Sequence, residues 1–245
     1  MNEDLQRIRK DLRIVKAWAL VTTLILGVVL LTGWKQPVPK ERFTELDVER
    51  FNVVSADGKR AVVISNANRM PGNVMGGKEY PRQGSRGSGL LFYNAAGNEA
   101  GGLIFDSGMS DTAVDAFGQL SLDRFGSDQV ATLRYAEGQG GWNAGLQVSH
   151  FVRNALYEWF AANDSIMKLP PGNQETAREA LVGRFVKAGK WEIPRGFVGE
   201  EGRTAILEMR DTKGHTRIRL SVDSSDVPRL QVLDSKGKIV KSILD

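Results

Sequence analysis

The sequence predicts a mainly β protein: an N-terminal transmembrane helix, then an extracytoplasmic domain of repeated β-hairpins with a small helical insert. Three observations carry this. Residues 17–34 (AWALVTTLILGVVLLTGW) contain no charge. Five four-residue turns, each beginning with Asp, Asn or Ser and ending in Gly, stand between runs in which apolar residues alternate. One interval between those turns instead carries apolar residues at helical spacing. The segments are 1–16, a cytoplasmic amphipathic stretch; 17–34, the span; 35–45, a linker; 46–149, β-hairpins; 150–196, the helical insert; and 197–245, C-terminal hairpins.

Residues 1–16 place Leu5, Ile8, Leu12 and Val15 on one helical stripe, with Asn2 as N-cap and Glu3 and Asp4 in the first turn. Such a stripe suits a helix on the inner leaflet or an extension of the anchor. It also suits a short coiled-coil seam, which leaves a homodimer open. The run that follows is about 27 Å long as a helix, close to the roughly 30 Å of a bilayer core. Trp18 and Trp34 stand near its ends, where indole rings favour the headgroup level, and Leu24 and Leu26 are central anchor residues. A buried core helix would need an apolar surround on every side. A cleaved signal peptide would need small residues where Trp34 and Lys35 stand. Five basic residues precede the run (Arg7, Arg9, Lys10, Arg13, Lys16) and Lys35, Lys40 and Arg42 follow it. This bias puts the N-terminus in the cytoplasm and the rest beyond a bacterial inner membrane, in the periplasm or another extracytoplasmic space.

Pro37 and Pro39 make a stiff spacer. The turns are Ser55-Ala-Asp-Gly58, Asn94-Ala-Ala-Gly97, Asp123-Arg-Phe-Gly126, Asp211-Thr-Lys-Gly214 and Asp234-Ser-Lys-Gly237. The first side chain can cap the turn, and Gly58, Gly97, Gly126, Gly214 and Gly237 supply the left-handed backbone of a type I turn with a bulge. The long gap between Gly126 and Gly214 holds the insert. One stripe there runs through Phe151, Leu156, Trp159 and Phe160, a second through Ala177, Leu181 and Phe185, with Pro170-Pro171-Gly172 between them and Gly189 as a stop. Trp159 and Phe160 are expected to pack the insert against the sheet. Residues 66–88, polar and glycine-rich, are expected to form a long loop, the sort of segment where binding resides.

Composition excludes several chemistries. The chain has no cysteine, hence no disulfide, thiolate metal site or cysteine nucleophile, and only two histidines, His150 and His215. The net charge of +4 includes +2 from residues 1–16, so the outer part has no electrostatic footprint for nucleic acid. Gly72-Asn-Val-Met-Gly-Gly77-Lys78 imitates a phosphate loop, but Glu79 replaces the Ser or Thr that would reach magnesium, and Pro81 blocks the helix. Ser85 and Ser88 lack the flanking glycines of a nucleophile elbow. Asp106, Asp111 and Asp115, and Asp223 and Asp226, match no calcium loop. No catalytic residue, cofactor or metal site is assigned.

Several stretches resemble a family of uncharacterised bacterial single-pass membrane-anchored β-rich proteins. They include Leu46-Asp-Val-Glu-Arg-Phe-Asn-Val-Val54, Val63-Ile-Ser-Asn66, Met70-Pro-Gly72, Gly77-Lys-Glu-Tyr80, Gly89-Leu-Leu-Phe-Tyr-Asn94, Gly101-Gly-Leu-Ile-Phe105, Leu120-Ser-Leu-Asp123, Phe197-Val-Gly199 and Ile239-Val240. The resemblance covers nearly all of residues 43–245. It implies a bacterial source and carries no activity or ligand. The expected function is therefore non-catalytic: an anchored interaction or scaffolding module, an accessory subunit of a larger membrane protein complex, whose partners are the lipid bilayer and membrane proteins. A periplasmic module binding a glycan, lipid or peptide is the alternative, through the 66–88 loop and Tyr80, Trp142 or Trp191. A hydrolase would need a histidine beside a serine and an acid.

Overall fold

A computed structural model describes residues 2–33, 41–82, 87–109 and 114–243. It is 43% strand and 27% helix, and it divides into two compact units, Met1–Asp47 and Val48–Asp245. Trp34, Pro37, Pro39, Ser85 and Asp111 lie outside the described residues.

The first unit is built on α1 (Asn2–Gly33), one continuous helix that joins the amphipathic stretch to the apolar run. It is the one helix among the described residues long and apolar enough to cross a membrane, or to serve as a signal sequence. Its hydroxyls turn inward on the backbone: Thr22 Oγ1 donates to the Trp18 carbonyl at 2.8 Å and Thr23 Oγ1 to the Ala19 carbonyl at 2.8 Å. In an apolar solvent those groups need such internal partners.

The second unit is dominated by a twelve-stranded sheet. Its strands are β1 (Arg50–Val54), β2 (Arg60–Ser65), β5 (Ser88–Tyr93), β6 (Glu99–Met109), β7 (Val114–Asp123), β8 (Gln129–Gly138), β9 (Gly141–His150), β10 (Ile193–Glu201), β11 (Thr204–Arg210), β12 (Thr216–Val222), β13 (Pro228–Leu233) and β14 (Ile239–Ser242). They lie in chain order and every neighbouring pair is antiparallel. The remaining strands, β3 (Asn73–Met75) and β4 (Lys78–Tyr80), pair only with each other. Thus the segment 66–88, expected as a long loop, contains a small hairpin, with 83–86 outside the described residues. The false phosphate loop is its turn, at Gly76 and Gly77 with φ of 61° and 75°. Helices α2 (Ala155–Ile166) and α3 (Pro171–Lys187) stand between β9 and β10, which still pair. Since β9 runs through His150 and β10 starts at Ile193, the insert is shorter than 150–196.

The turn chemistry is local. Asn94, Asp211 and Asp234 each present Oδ1 to two backbone N–H groups, two and four residues on. Gly58, Gly97, Gly214 and Gly237 take φ between 81° and 85°, and the register slips by a residue beside each of these turns. At the third turn the frame differs from expectation. Ser127 N donates to the Arg124 carbonyl, so the turn is Arg124–Ser127, with Gly126 third rather than fourth.

Two further turns escape the Asp/Asn/Ser–Gly pattern because a non-glycine takes the left-handed position. In one, joining β12 and β13, Asp223 caps Ser225 and Val227 and Asp226 has φ 61°. In the other, Gly202 and Arg203 join β10 and β11 with φ of 53° and 67°. Arg203→Gly is expected to raise stability by about 1 kcal/mol, and Asp226→Gly by less, because a short polar side chain tolerates this backbone. A higher urea midpoint at unchanged slope is the readout.

The buried apolar residues are few. Val63, Met70, Val74, Leu91 and Tyr93 form one cluster, at the β2–β5 end of the sheet under β3. Ile166, Leu181 and Phe185 form the other, between α2 and α3, with Trp159 against it. Trp159 meets Phe185 edge-on at 5.3 Å and Trp191 at 5.0 Å. Phe160 stacks on Tyr80 of β4 at 4.7 Å, so it packs the insert against the small hairpin and not the large sheet. Asn98, fully buried, ties the pieces together. Its Nδ2 donates to Tyr157 Oη at 2.6 Å, and its Oδ1 accepts from Gly76 N at 2.7 Å.

Candidate functional site

Strand alternation gives the large sheet two faces, and their chemistry is unlike. The register carries one row of apolar side chains over eleven successive strands, from Phe51 on β1 to Leu230 on β13. Leu103, Leu120, Leu133 and Leu146 lie directly opposite one another in its middle. A flanking row runs through Val53, Val62, Leu122, Val148, Met209 and Ile218. Because the side-chain period is two, a register held at every turn keeps these rows on one face. That face is open: Leu133 is 55% exposed, Val198 53% and Leu146 45%, against 0% for Val63 and Leu91 on the other side. Exposed apolar patches of this extent on a sheet are rare in isolated soluble domains.

The opposite face carries Ser121, Thr132, Ser149, Glu208 and Ser221, all buried. Glu208 gathers two guanidinium groups. Arg219 donates to its Oε1 from Nε at 2.9 Å and Nη2 at 2.7 Å, and Arg210 to its Oε2 at 3.0 and 2.7 Å. Burial pushes Glu208 up, but these donors outweigh it and hold the carboxyl below its usual range. Glu208→Gln removes the charge that neutralises both arginines. It is expected to cost about 1–3 kcal/mol, read from the urea midpoint.

On this polar face, at the ends of β6, β7 and β8, the small hairpin and α2 cover a cleft of about 300 Å³. Its polar lining includes Arg82, Glu99, Asp123, Ser127, Asp128 and Asn163, its apolar lining Leu156, Trp159 and Phe160. Arg82 Nη2 and Glu99 Oε2 form an ion pair at 2.6 Å, with both side chains largely shielded. Asp123 and Asp128 have no such counter-ion among the described residues. Burial, with the negative charges of Asp128 and Glu99, pushes Asp123 up to about 8 against the pull of Arg82. Burial also raises Asp128 and Glu99. A second cleft of about 170 Å³, walled by Phe151, Phe185 and Trp191, shares Ser127, Asp128, Leu156 and Trp159 with the first.

The residues singled out from sequence are distributed as follows. Trp18, Leu24 and Leu26 are exposed on α1. The five turn glycines all take positive φ. His215 Nδ1 lies 3.3 Å from Asp211 Oδ2 within its turn, and His150 is exposed at the end of β9. Asp223 and Asp226 are turn residues, and no group of three metal-ligating side chains occurs among the described residues. Trp142 lies in β9 on the open apolar face, opposite Glu137, while Tyr80 and Trp191 pack against Phe160 and Trp159. The sequence marks Asp123 only as a turn residue and gives no signal for a cleft at Asp128 or Asn163, since the three come from β7, a turn and a helix. No family model, no curated protein and no solved structure matches the chain.

Proposed function

We propose that the protein is a membrane-anchored, extracytoplasmic contact module that works without catalysis, its partner surface being the open apolar face of the sheet and its first partner a second copy of itself. The observation that carries this is the uninterrupted apolar row, five successive leucines at its centre. A sheet with such a face ordinarily buries it against another layer. An identical copy offers the same face, whose central rows are apolar and which carries Glu137 and Glu200 away from them, and a two-fold interface requires such a self-complementary patch. The size is adequate: about six strands at about 4.8 Å, with three outward residues each, bury on the order of 1,000 Å² in total across two copies, near the lower bound of specific interfaces. The sheet edges are poorer candidates, because β1 has five residues and β14 four.

The apolar run of α1 and the basic residues before it support an inner-membrane anchor with its N-terminus in the cytoplasm. The resemblance of residues 43–245 to bacterial anchored proteins supports the same placement. Confining copies to one membrane raises their effective concentration, which favours a modest interface. A role as accessory subunit of a larger membrane complex extends this reading, with the same face meeting a different protein.

The chain lacks cysteine, so a single introduced thiol reports cleanly. Leu133→Cys in native membranes is expected to give a covalent dimer of the chain with a short bismaleimide, whereas Lys213→Cys, on an exposed turn, gives none. A product joined only to a different protein would replace the self-association reading by the accessory-subunit one, and the absence of any product would sink both. A membrane-impermeant maleimide applied to intact spheroplasts is expected to label Lys213→Cys. Labelling only after lysis would overturn the extracytoplasmic placement.

A further inference from the structure

We infer that the cleft between the β3–β4 hairpin, α2 and the polar face of the sheet is a binding site for a small ligand that bears a primary ammonium group on an apolar body. This stands apart from the proposed self-association, which uses the other face.

Three oxygens decide the ligand's polar end. Ser127 is 1% exposed, and its Oγ has no hydrogen-bond partner among the described residues; Asp123 Oδ1 and Asn163 Oδ1 are likewise buried and unpartnered. All three belong to side chains that line the cleft. Left unmade, such hydrogen bonds cost free energy, so three in one cleft form a built recognition feature. An ammonium carries three donors and no acceptor, which matches two carbonyl-type oxygens and a hydroxyl.

Charge points the same way. Arg82 is committed to Glu99 at 2.6 Å, and Lys190, in the adjoining cleft, to Glu158 at 2.6 Å. Asp123 and Asp128 therefore lack a cation, and a bound ammonium supplies one. The groups facing Asp123 are Asp128, Glu99 and Arg82. At neutral pH burial and the two neighbouring acids keep its carboxyl protonated, so cation binding displaces that proton. The apolar end is set by Trp159, Phe160 and Leu156, and by the continuation past Ser127 towards Phe151 and Trp191. Aromatic faces beside a cation add to its attraction. The volume is in the range of small-molecule sites.

Calorimetry on the full-length protein in lipid nanodiscs tests this with three probes of the same body: benzylamine, benzyltrimethylammonium, which keeps the charge and removes the donors, and benzyl alcohol, which removes the charge. Benzylamine is expected to bind at least about tenfold tighter than either control. At pH 7, titrations in phosphate and in Tris are expected to differ in heat by the release of between half and one proton per ligand. Asp123→Asn, near in shape to the protonated acid, is expected to melt no lower than wild type, lose at least about tenfold in affinity and abolish proton release. Asn163→Leu, which removes one acceptor without touching a charge, is expected to weaken benzylamine binding and leave proton release intact. Equal binding of benzyl alcohol, unchanged affinity in both variants, or no heat at millimolar benzylamine would overturn the assignment.

Discussion

Replacing Leu120 and Leu146 together by lysine is expected to abolish self-association in the membrane while leaving the outer domain folded. Both side chains are largely exposed in a single chain, 40% and 45%, so the monomer gives up little packing. They flank Leu133 in the central row, and a face-to-face contact buries them on both copies. Each buried leucine contributes about 1.5–3 kcal/mol, and a two-fold interface counts every substitution twice. A weakening of at least about 100-fold follows even if half of that is realised. Energy transfer between donor- and acceptor-labelled copies diluted in lipid vesicles measures it, and loss of the Leu133→Cys cross-link on the double-lysine background confirms the face. A fall in melting temperature as large as that of a core substitution would mean that the chain covers this face itself, and would end the proposal.

Asp123→Asn is expected to reverse part of the alkaline weakening of the outer domain. The folded carboxyl sits at about 8, above its ordinary 3.8. In that interval the folded state holds a proton that the unfolded state has lost, so the stability contribution is complete below about pH 4 and disappears as pH rises through about 8. Wild-type stability should therefore decline across that window. Asparagine does not titrate, so the variant should match wild type near pH 4 and exceed it at pH 8 by about 5 kcal/mol, because at the folded pKa only RT ln 2 of the full linkage value for a shift of this size is left. Glu99 and Asp128, raised by the same burial, leave a smaller slope in the variant. The acid side has the opposite sign. Glu208 and Asp211 are held below their usual ranges, so their contributions are lost as pH falls through those lowered values. Urea unfolding at several pH values distinguishes the two limbs. A variant whose stability follows that of wild type from pH 4 to pH 8 would show that burial does not raise the Asp123 carboxyl in the folded protein.

Individual residues show where local rules suffice. The apolar helix, the turns at Gly58, Gly97, Gly214 and Gly237, and the two helical stripes are encoded within a few residues of themselves, by uncharged length, by an Asx cap followed by a left-handed glycine, and by spacing of three and four. Local reading falters where the code is degenerate. Asp226 and Arg203 occupy backbone that glycine usually marks, and Arg124, not Asp123, opens the third turn. In Leu90-Leu-Phe-Tyr93 a continuous apolar run fits either face. The structure turns Leu91 to the buried side and pairs Leu90 with Ile64 and Leu103 on the open one.

From the chain alone follow the anchor-like helix, the β character, the paired strands that meet at short turns and the absence of thiol chemistry, because each depends on composition or on contacts between near neighbours. Tertiary structure alone decided which face of the sheet is covered, and hence both candidate surfaces. Period-two alternation creates two faces without ranking them. The covering pieces, β3–β4 and α2–α3, come from segments about eighty residues apart that meet through Asn98, Tyr157 and the Tyr80–Phe160 stack. The cleft acids become unusual only there, since removal from water, not position in the sequence, changes the chemistry of Asp123.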